Sequence, residues 1–305
     1  MEGLSAMTAR LTHLFLVLVA GALAGLVQPR PAAAAGMDPT LHAMLPADIQ
    51  KSGVLSIATD AHYPPCESFA DDNKTMIGYE PDMWNAIGAK LGIKIKPIST
   101  DFDGLIPGVQ SGRYQMAMEC ISDSVVREKQ VTFIDNSYST DAVYTLATTT
   151  GVSDDALSLC GLKSAAQAGT DFNDTLTAIS TRCKKHGESG VTVFQFPSED
   201  AVILALYSGR VDFVLSDAAA AGDLKKHAPK PMNVFTNDLM PKVYTGMIVR
   251  PDQKQLAEAT LAGLRAIIAD GTYDTLMEKW DLKLLELHNP MINEEAVQPV
   301  PVVAP

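Results

Sequence analysis

Apolar positions fall into short runs and helical stripes that alternate along most of the chain. Val54–Ala58 reads as a buried strand. It runs into Thr59-Asp60-Ala61-His62-Tyr63-Pro64-Pro65-Cys66-Glu67, where paired prolines forbid a helix. A short strand ends at Ile77-Gly78-Tyr79, and Pro81 and Asp82 then suit the first turn of a helix with Met83, Ile87 and Leu91 on its apolar face. Ile93–Ile98 alternates like a half-exposed strand, Phe102–Val109 is an amphipathic turn of helix, and Tyr114–Met118 is the next strand. This β-α-β-α-β order predicts a mostly parallel sheet flanked by helices.

A second unit repeats the plan without repeating the residues. Lys163–Gln167 is a strand, followed by Gly169-Thr170-Asp171 and a helix through Leu176, Ile179 and Cys183. Val191–Phe196 is a strand, Ser198 caps a helix through Val202 and Leu206, and Val211–Leu215 is a strand ending at Ser216-Asp217. Val143–Thr148 reads as a strand leaving the first unit, and Val243–Val249 as a later one. A long helix from Asp252 carries Leu256, Leu261, Leu264 and Ile267 on one face, and Tyr273–Trp280 forms a last short helix. Residues 286–305 have prolines and no periodicity, so a disordered tail is expected there.

The first 35 residues interrupt this pattern. Arg10 precedes an apolar run, Leu14–Val27, and Ala32–Ala35 offers a small-residue cleavage site, so residues 1–35 read as a secretory signal peptide. The run is shorter than the about 20 residues of a membrane span. The mature chain is therefore expected to be soluble and periplasmic. A length of 305 residues suggests two domains, and a formal charge of −12 disfavours nucleic acid and anionic lipid as partners. Four cysteines in an exported chain suit disulfides. Cys160 and Cys183 enclose a short loop in one unit and are the better pair, whereas Cys66 and Cys120 either bridge two loops or stay thiols.

One stretch carries candidate chemistry. Met116–Met118 leads into Glu119-Cys120-Ile121-Ser122, with Arg127 five positions after Ser122. At a strand's carboxyl end, backbone N–H groups, a hydroxyl and a guanidinium can converge on one carboxylate; otherwise Arg127 is an ordinary solvated arginine. His42, His62, His186, His227 and His288 lack metal-ligand spacing, and no glycine-rich phosphate loop appears, so neither metal nor cofactor is indicated.

Taken in order, several segments make a set: Asp60-Ala-His-Tyr63-Pro-Pro, Gly78-Tyr-Glu-Pro-Asp82-Met, Phe102 to Gly112, Ser122-Asp-Ser-Val-Val-Arg127, Gly169-Thr170, Ser208 to Asp217, and Ala269-Asp-Gly-Thr-Tyr273 to Trp280. Over about Ser52–Leu282 the chain resembles the bacterial extracellular solute-binding proteins that serve amino-acid ABC importers. The resemblance implies an α/β, two-lobed periplasmic binding protein fold of type II, each lobe a mostly parallel sheet flanked by helices. Residues 51–143 plus 244–285 would form lobe 1, and residues 144–243 lobe 2, with hinge strands at its ends and a ligand cleft between the lobes. A monomer that delivers an amino acid or related zwitterion to a membrane permease is the implied function. A cyclohexadienyl-type dehydratase on the same fold and a receptor-coupled amino-acid sensor are the alternatives.

The same resemblance assigns roles. Arg127, Ser122 and Thr170 match the carboxylate-binding positions, and Asp217 the acceptor of the α-ammonium. Tyr63 and Phe102 match aromatic walls. Asp60, Glu119 and Cys120 lie where the family places residues beside the ligand's side chain, and two carboxylates there favour a cationic one. The Cys160–Cys183 bridge also occurs in a branch of the family. Plainer readings stand beside these: Thr170 as a helix N-cap, Asp217 as the cap of a helix from Ala218, Tyr63 and Phe102 as core, Glu67 facing water, and Glu119 neutralised by Lys129 or Arg127.

Overall fold

The computed structural model describes residues 36–299 apart from residue 241; the signal peptide read at 1–35 and the last six residues lie outside the described residues. The strands in chain order are β1 (Val54–Thr59), β2 (His62–Tyr63), β3 (Glu67–Phe69), β4 (Met76–Ile77), β5 (Lys94–Ser99) and β6 (Met116–Ala117). They continue as β7 (Thr132–Leu146), β8 (Lys163–Gln167), β9 (Thr192–Phe196), β10 (Phe213–Asp217), β11 (Met232–Phe235) and β12 (Lys242–Val249). The main sheet runs β5-β1-β6-β12-β7-β10-β8-β9, with β11 also on β7, and β2-β3-β4 form a small separate sheet. β1 is parallel to β5 and β6, and β8 is parallel to β9 and β10, so each wing is mostly parallel as expected.

The element joining the wings differs from the sequence reading. Instead of a separate strand starting at Val143, β7 runs unbroken for 15 residues. Its first part pairs antiparallel with β12 from Thr132 to Thr140, and from Asp141 it pairs with β10. Asp135, Asn136, Ser137, Ser139 and Asp141 hide this strand from a hydrophobicity pattern, yet all five are buried. Ser137 Oγ and Thr245 Oγ1 lie 2.7 Å apart across the β7–β12 pair, so cross-strand hydroxyls satisfy each other where apolar packing would be expected.

Helices cover the wings. The Tyr79–Leu91 helix buries Met83, Trp84, Ile87 and Leu91, carries Glu80 and Asp82 in its first turn and ends on left-handed Gly92. It packs on the Lys254–Ala269 helix, whose Leu256, Leu261, Leu264 and Ile267 are buried as the periodicity predicts. Gly78, at φ 145°, opens the first of these, and a Cβ there would sit 2.1 Å from the Cys66 carbonyl oxygen, so only glycine fits. Cys160 and Cys183 form a disulfide that ties the turn at Ala156–Leu159 to the Phe172–Lys185 helix.

The tail expected to be disordered is docked on the sheet, with its last contact among the described residues at Gln298 O. Asp135 N–H donates to Met291 O, and Phe133 exchanges hydrogen bonds with Asn293, accepting its N–H and donating to its Oδ1. A turn of helix, Glu294–Val297, follows. Periodicity missed this segment because it docks through backbone groups rather than an apolar stripe.

Several carboxyls are buried without cations. Burial raises Asp123 to about 8, Asp135 to about 9 and Glu199 to about 8. Each holds a proton when folded that it loses at neutral pH when unfolded, so their contribution is complete below about pH 4 and is lost as pH rises through the folded values. The melting temperature should therefore fall between pH 5 and pH 9, and Asp135→Asn should make that fall shallower. A melting temperature that rises over this range would contradict the burial of these groups in solution.

Candidate functional site

The carboxyl ends of strands from both wings face one cleft, the place where open α/β sheets bind ligands. β1 ends at Thr59 and delivers Asp60, β6 leads through Met118 to Glu119 and Cys120, β8 ends on Gln167, and β10 ends on Asp217. Of the residues singled out in the sequence, Tyr63, Phe102, Glu119, Cys120, Ser122, Thr170 and Asp217 line one narrow pocket, joined by Gln167, Asp171 and Phe172. Asp60 and Arg127 are not among the lining residues: Asp60 lies behind them, bonded to Glu119 and Gln167, and Arg127 bonds the backbone carbonyls of Ser122 and Gly169. None of these lining residues is a lysine, arginine or histidine, whereas Glu119, Asp171 and Asp217 are acids.

Hydrogen bonds of Tyr63, Gln167 and Arg127 cross the cleft. Tyr63 OH donates to Asp217 Oδ2 at 2.7 Å, Gln167 Nε2 donates to Asp60 Oδ2 at 2.7 Å, and Arg127 donates to Gly169 O at 2.9 Å. Asp217 is buried and also accepts from Ser139 Oγ. Burial pushes its carboxyl up to about 6 while these two donors pull it down. The helix after it starts at Ala220 with no side-chain cap, so Asp217 is not a helix cap.

Arg127 sits on a single helical turn, Val125–Glu128, with Ser124 as its N-cap. Its other guanidinium contact is with Ser122 O at 2.8 Å. Thr170 does not cap a helix either: its hydroxyl donates to Gln167 O, and the Phe172–Lys185 helix has Asp171 at its N-cap without a side-chain bond.

The acids near the ligand-facing wall answer to neutral donors. Glu119 Oε2 accepts the Asp60 N–H at 2.7 Å, and Glu80 Oε1 accepts the Cys120 N–H at 2.8 Å. Burial, then the charge of Asp60, hold Glu119 well above the usual carboxylate range. Asp60 is raised by burial, against hydrogen bonds from His62 and Gln167. Glu67 is fully buried rather than in water; burial and the Glu80 carboxylate raise it, and Glu80 itself stands near 7.

Cys66 and Cys120 form a disulfide behind the cleft wall. Cys66 Sγ, Cys120 Sγ and an Asp217 oxygen lie within 4.8 Å of one another, but sulfurs bonded to each other offer no thiolate to a metal.

Gln167, Asp171, Phe172 and Glu80 were not singled out in the sequence. Gln167 was legible as the last residue of a strand pointing at the same edge as Asp217. Glu80 reads as an ordinary first-turn acid, and its bond to Cys120 exists only in the folded chain.

The model of the bacterial extracellular solute-binding proteins, family 3, matches residues 55–283. The chain belongs to this family. It is 26% identical over 258 residues to the arginine-binding protein ArgT of Corynebacterium glutamicum, covering 84% of each chain. It is 27% identical over 230 residues to the lysine/arginine/ornithine-binding periplasmic protein of Escherichia coli, covering 73% of this chain and 86% of that one. The solved structure of an ancestral arginine-binding protein bound to arginine superposes with a TM-score of 0.67 at 27% identity, over 75% of this chain and 98% of that chain. For this family member, the motif order read along the sequence and the type II fold agree. No helix among the described residues is long and apolar enough to cross a membrane.

The Cys66–Cys120 bridge closes a separation of 54 residues. Replacing both cysteines by serine should cost about 4 kcal/mol in the chain-entropy treatment. Urea denaturation without reductant measures this; an unchanged midpoint would mean that the bridge does not form.

Proposed function

We propose that this chain is the exported substrate-binding component of an ABC importer and that it takes an amino acid with a cationic side chain into the cleft. The observation that carries this reading is an acidic cleft wall without a cation on it: Glu119, Asp171 and Asp217 line the space, and Asp60 lies directly behind. The relatives named for arginine and for lysine, arginine and ornithine support the same ligand class. Residues 51–143 plus 244–285 act as one lobe and 144–243 as the other, with β7 and β12 as the hinge strands. Residues 1–35 direct export, and the mature chain works as a soluble periplasmic monomer that docks on a permease.

Each ligand group then has a partner. The α-ammonium displaces the Tyr63 hydroxyl from Asp217, because a cation is the stronger partner for a carboxylate. The α-carboxylate is taken by the Arg127 guanidinium, Ser122 and Thr170, one pole on each lobe, which couples lobe closure to the ligand's charge separation. Tyr63, Phe102 and Phe172 enclose the aliphatic part. The side-chain cation pairs with Glu119, with Asp60 adding its field and Cys120 forming the adjoining wall. A dehydratase acting on a prephenate-like dicarboxylate would have to place a second anion against these acids, so binding without reaction is the better reading.

Calorimetric titration of the mature protein with the twenty amino acids and ornithine should give binding for the cationic ones only; binding confined to neutral or acidic ones refutes the ligand class. Arg127→Ala should weaken binding by about 2–5 kcal/mol, the cost of truncating one partner of a buried charge pair.

Affinity should also fall as pH drops from 7.5 to 5, because Asp217 takes up a proton near 6 and no longer receives an ammonium. Binding at neutral pH should release protons from the raised carboxyls, seen as a heat that changes with the buffer's ionisation enthalpy. A pH-independent affinity would rule out Asp217 as the ammonium acceptor.

A further inference from the structure

The turn that carries Arg127 is too short to hold itself. Four residues make one helical turn, and nucleating a turn costs more than its single hydrogen bond returns. Val125 and Val126 on it are exposed and contribute no core packing, and the Ser124 cap bonds only Arg127 N–H. Beside the pairing of Ser122 and Asp123 with β12, its support comes from residues 294–296.

Three successive backbone N–H groups, of residues 294–296, donate to the side-chain oxygens of three acidic residues. Glu294 N–H donates to Asp135 Oδ2 on β7 at 2.9 Å, Glu295 N–H to Asp123 Oδ2 at 3.3 Å, and Ala296 N–H to Glu128 Oε1 at 3.0 Å. Asp123 lies two residues before the Arg127 turn, and Glu128 is its last residue. Asn293, left-handed at φ 54°, aims these amides and is itself anchored on both sides of Phe133. Further on, Gln298 O accepts from Tyr244 OH, while Asp123 N–H donates to Tyr244 O. The segment therefore ties Asp123 and Glu128 to β7, while Asp123 is also bonded directly to β12.

We propose that residues 291–298 are a positioning strap for Arg127: by fixing Asp123 and Glu128 to the hinge strands, the strap sets the angle at which the guanidinium meets the ligand's α-carboxylate. Glu128 and Asn293 are positioning residues in this scheme, and neither touches the ligand. The role rests on the functional reading only for the nature of the ligand group.

The test compares the mature protein with its Glu128→Ala, Glu128→Gln and Asn293→Ala variants, and with a chain ending at Asn289, using L-arginine and L-argininamide, which lacks the carboxylate charge. Glu128→Ala should lose roughly tenfold in affinity for L-arginine, about the worth of one hydrogen bond, with less than twofold change for the amide. Glu128→Gln keeps an acceptor for the Ala296 N–H and should restore most of the loss. Hydrogen exchange of residues 122–130 should quicken in Glu128→Ala and Asn293→Ala while β8 stays protected, a result that needs no ligand and no folded truncation. Equal losses for the two ligands, or unchanged exchange in both variants, would overturn the strap. If the unmodified protein prefers a neutral amino acid, the cationic reading fails but the strap is tested unchanged with that amino acid and its amide. If charge on the α-carboxylate proves irrelevant to the unmodified protein, both fall.

Discussion

Acidic side chains buried with no lysine or arginine partner among the described residues are the condition that the rest of this structure accommodates. Glu119 and Asp217 line the cleft, and Asp60, Glu67 and Glu80 lie behind it, all of them buried; Asp60 is paired with His62. Neutral donors answer several of them: the Asp60 and Cys120 amides, the Tyr63 and Ser139 hydroxyls and the Gln167 amide. Such donors stabilise a carboxylate less than a cation does, so Tyr63 and Gln167, which reach across from one wing to the other, are replaceable partners. The same residues that satisfy the acids thus hold the two wings together and mark where a cation would compete.

β7 makes that arrangement possible. One strand pairs with β12 over its first part and with β10 and β11 over its last, so the two wings share a backbone ladder instead of a flexible linker. Strand ends from both wings are brought to one edge, and the residues immediately after them become the cleft. The proposed binding role rests on the side chains at those ends, while the sheet supplies their placement.

Most of the fold was legible because its helices and wing strands bury apolar residues at regular spacing, as Met83, Ile87 and Leu91 do. β7 was not, since Asp135, Asn136, Ser137 and Ser139 look like a loop until their partners on β12 and in the tail are known. The tail failed for the same reason: Pro290 to Gln298 binds through amides and carbonyls, which leave no trace in side-chain pattern. At the cleft, the ordered motifs pointed to Tyr63, Ser122, Thr170 and Asp217, which line one pocket, and to Arg127, which does not. What they could not supply was state of engagement: Asp60 reads as ligand-facing, but it is held by His62 and Gln167. Cys66 and Cys120, whose pairing the sequence left open, are brought together by loops 54 residues apart.

The proposed strap also has a consequence for the order of folding. Both disulfides join residues no later than Cys183, and β8, β9 and β10 are complete by Asp217. The bonds from residues 294–296 to Asp135, Asp123 and Glu128 span 159, 172 and 168 residues. Contacts of such separation carry a larger loop-closure cost than bridges that close 54 and 23 residues. The bridges and much of the sheet can therefore form while the Arg127 turn is still loose.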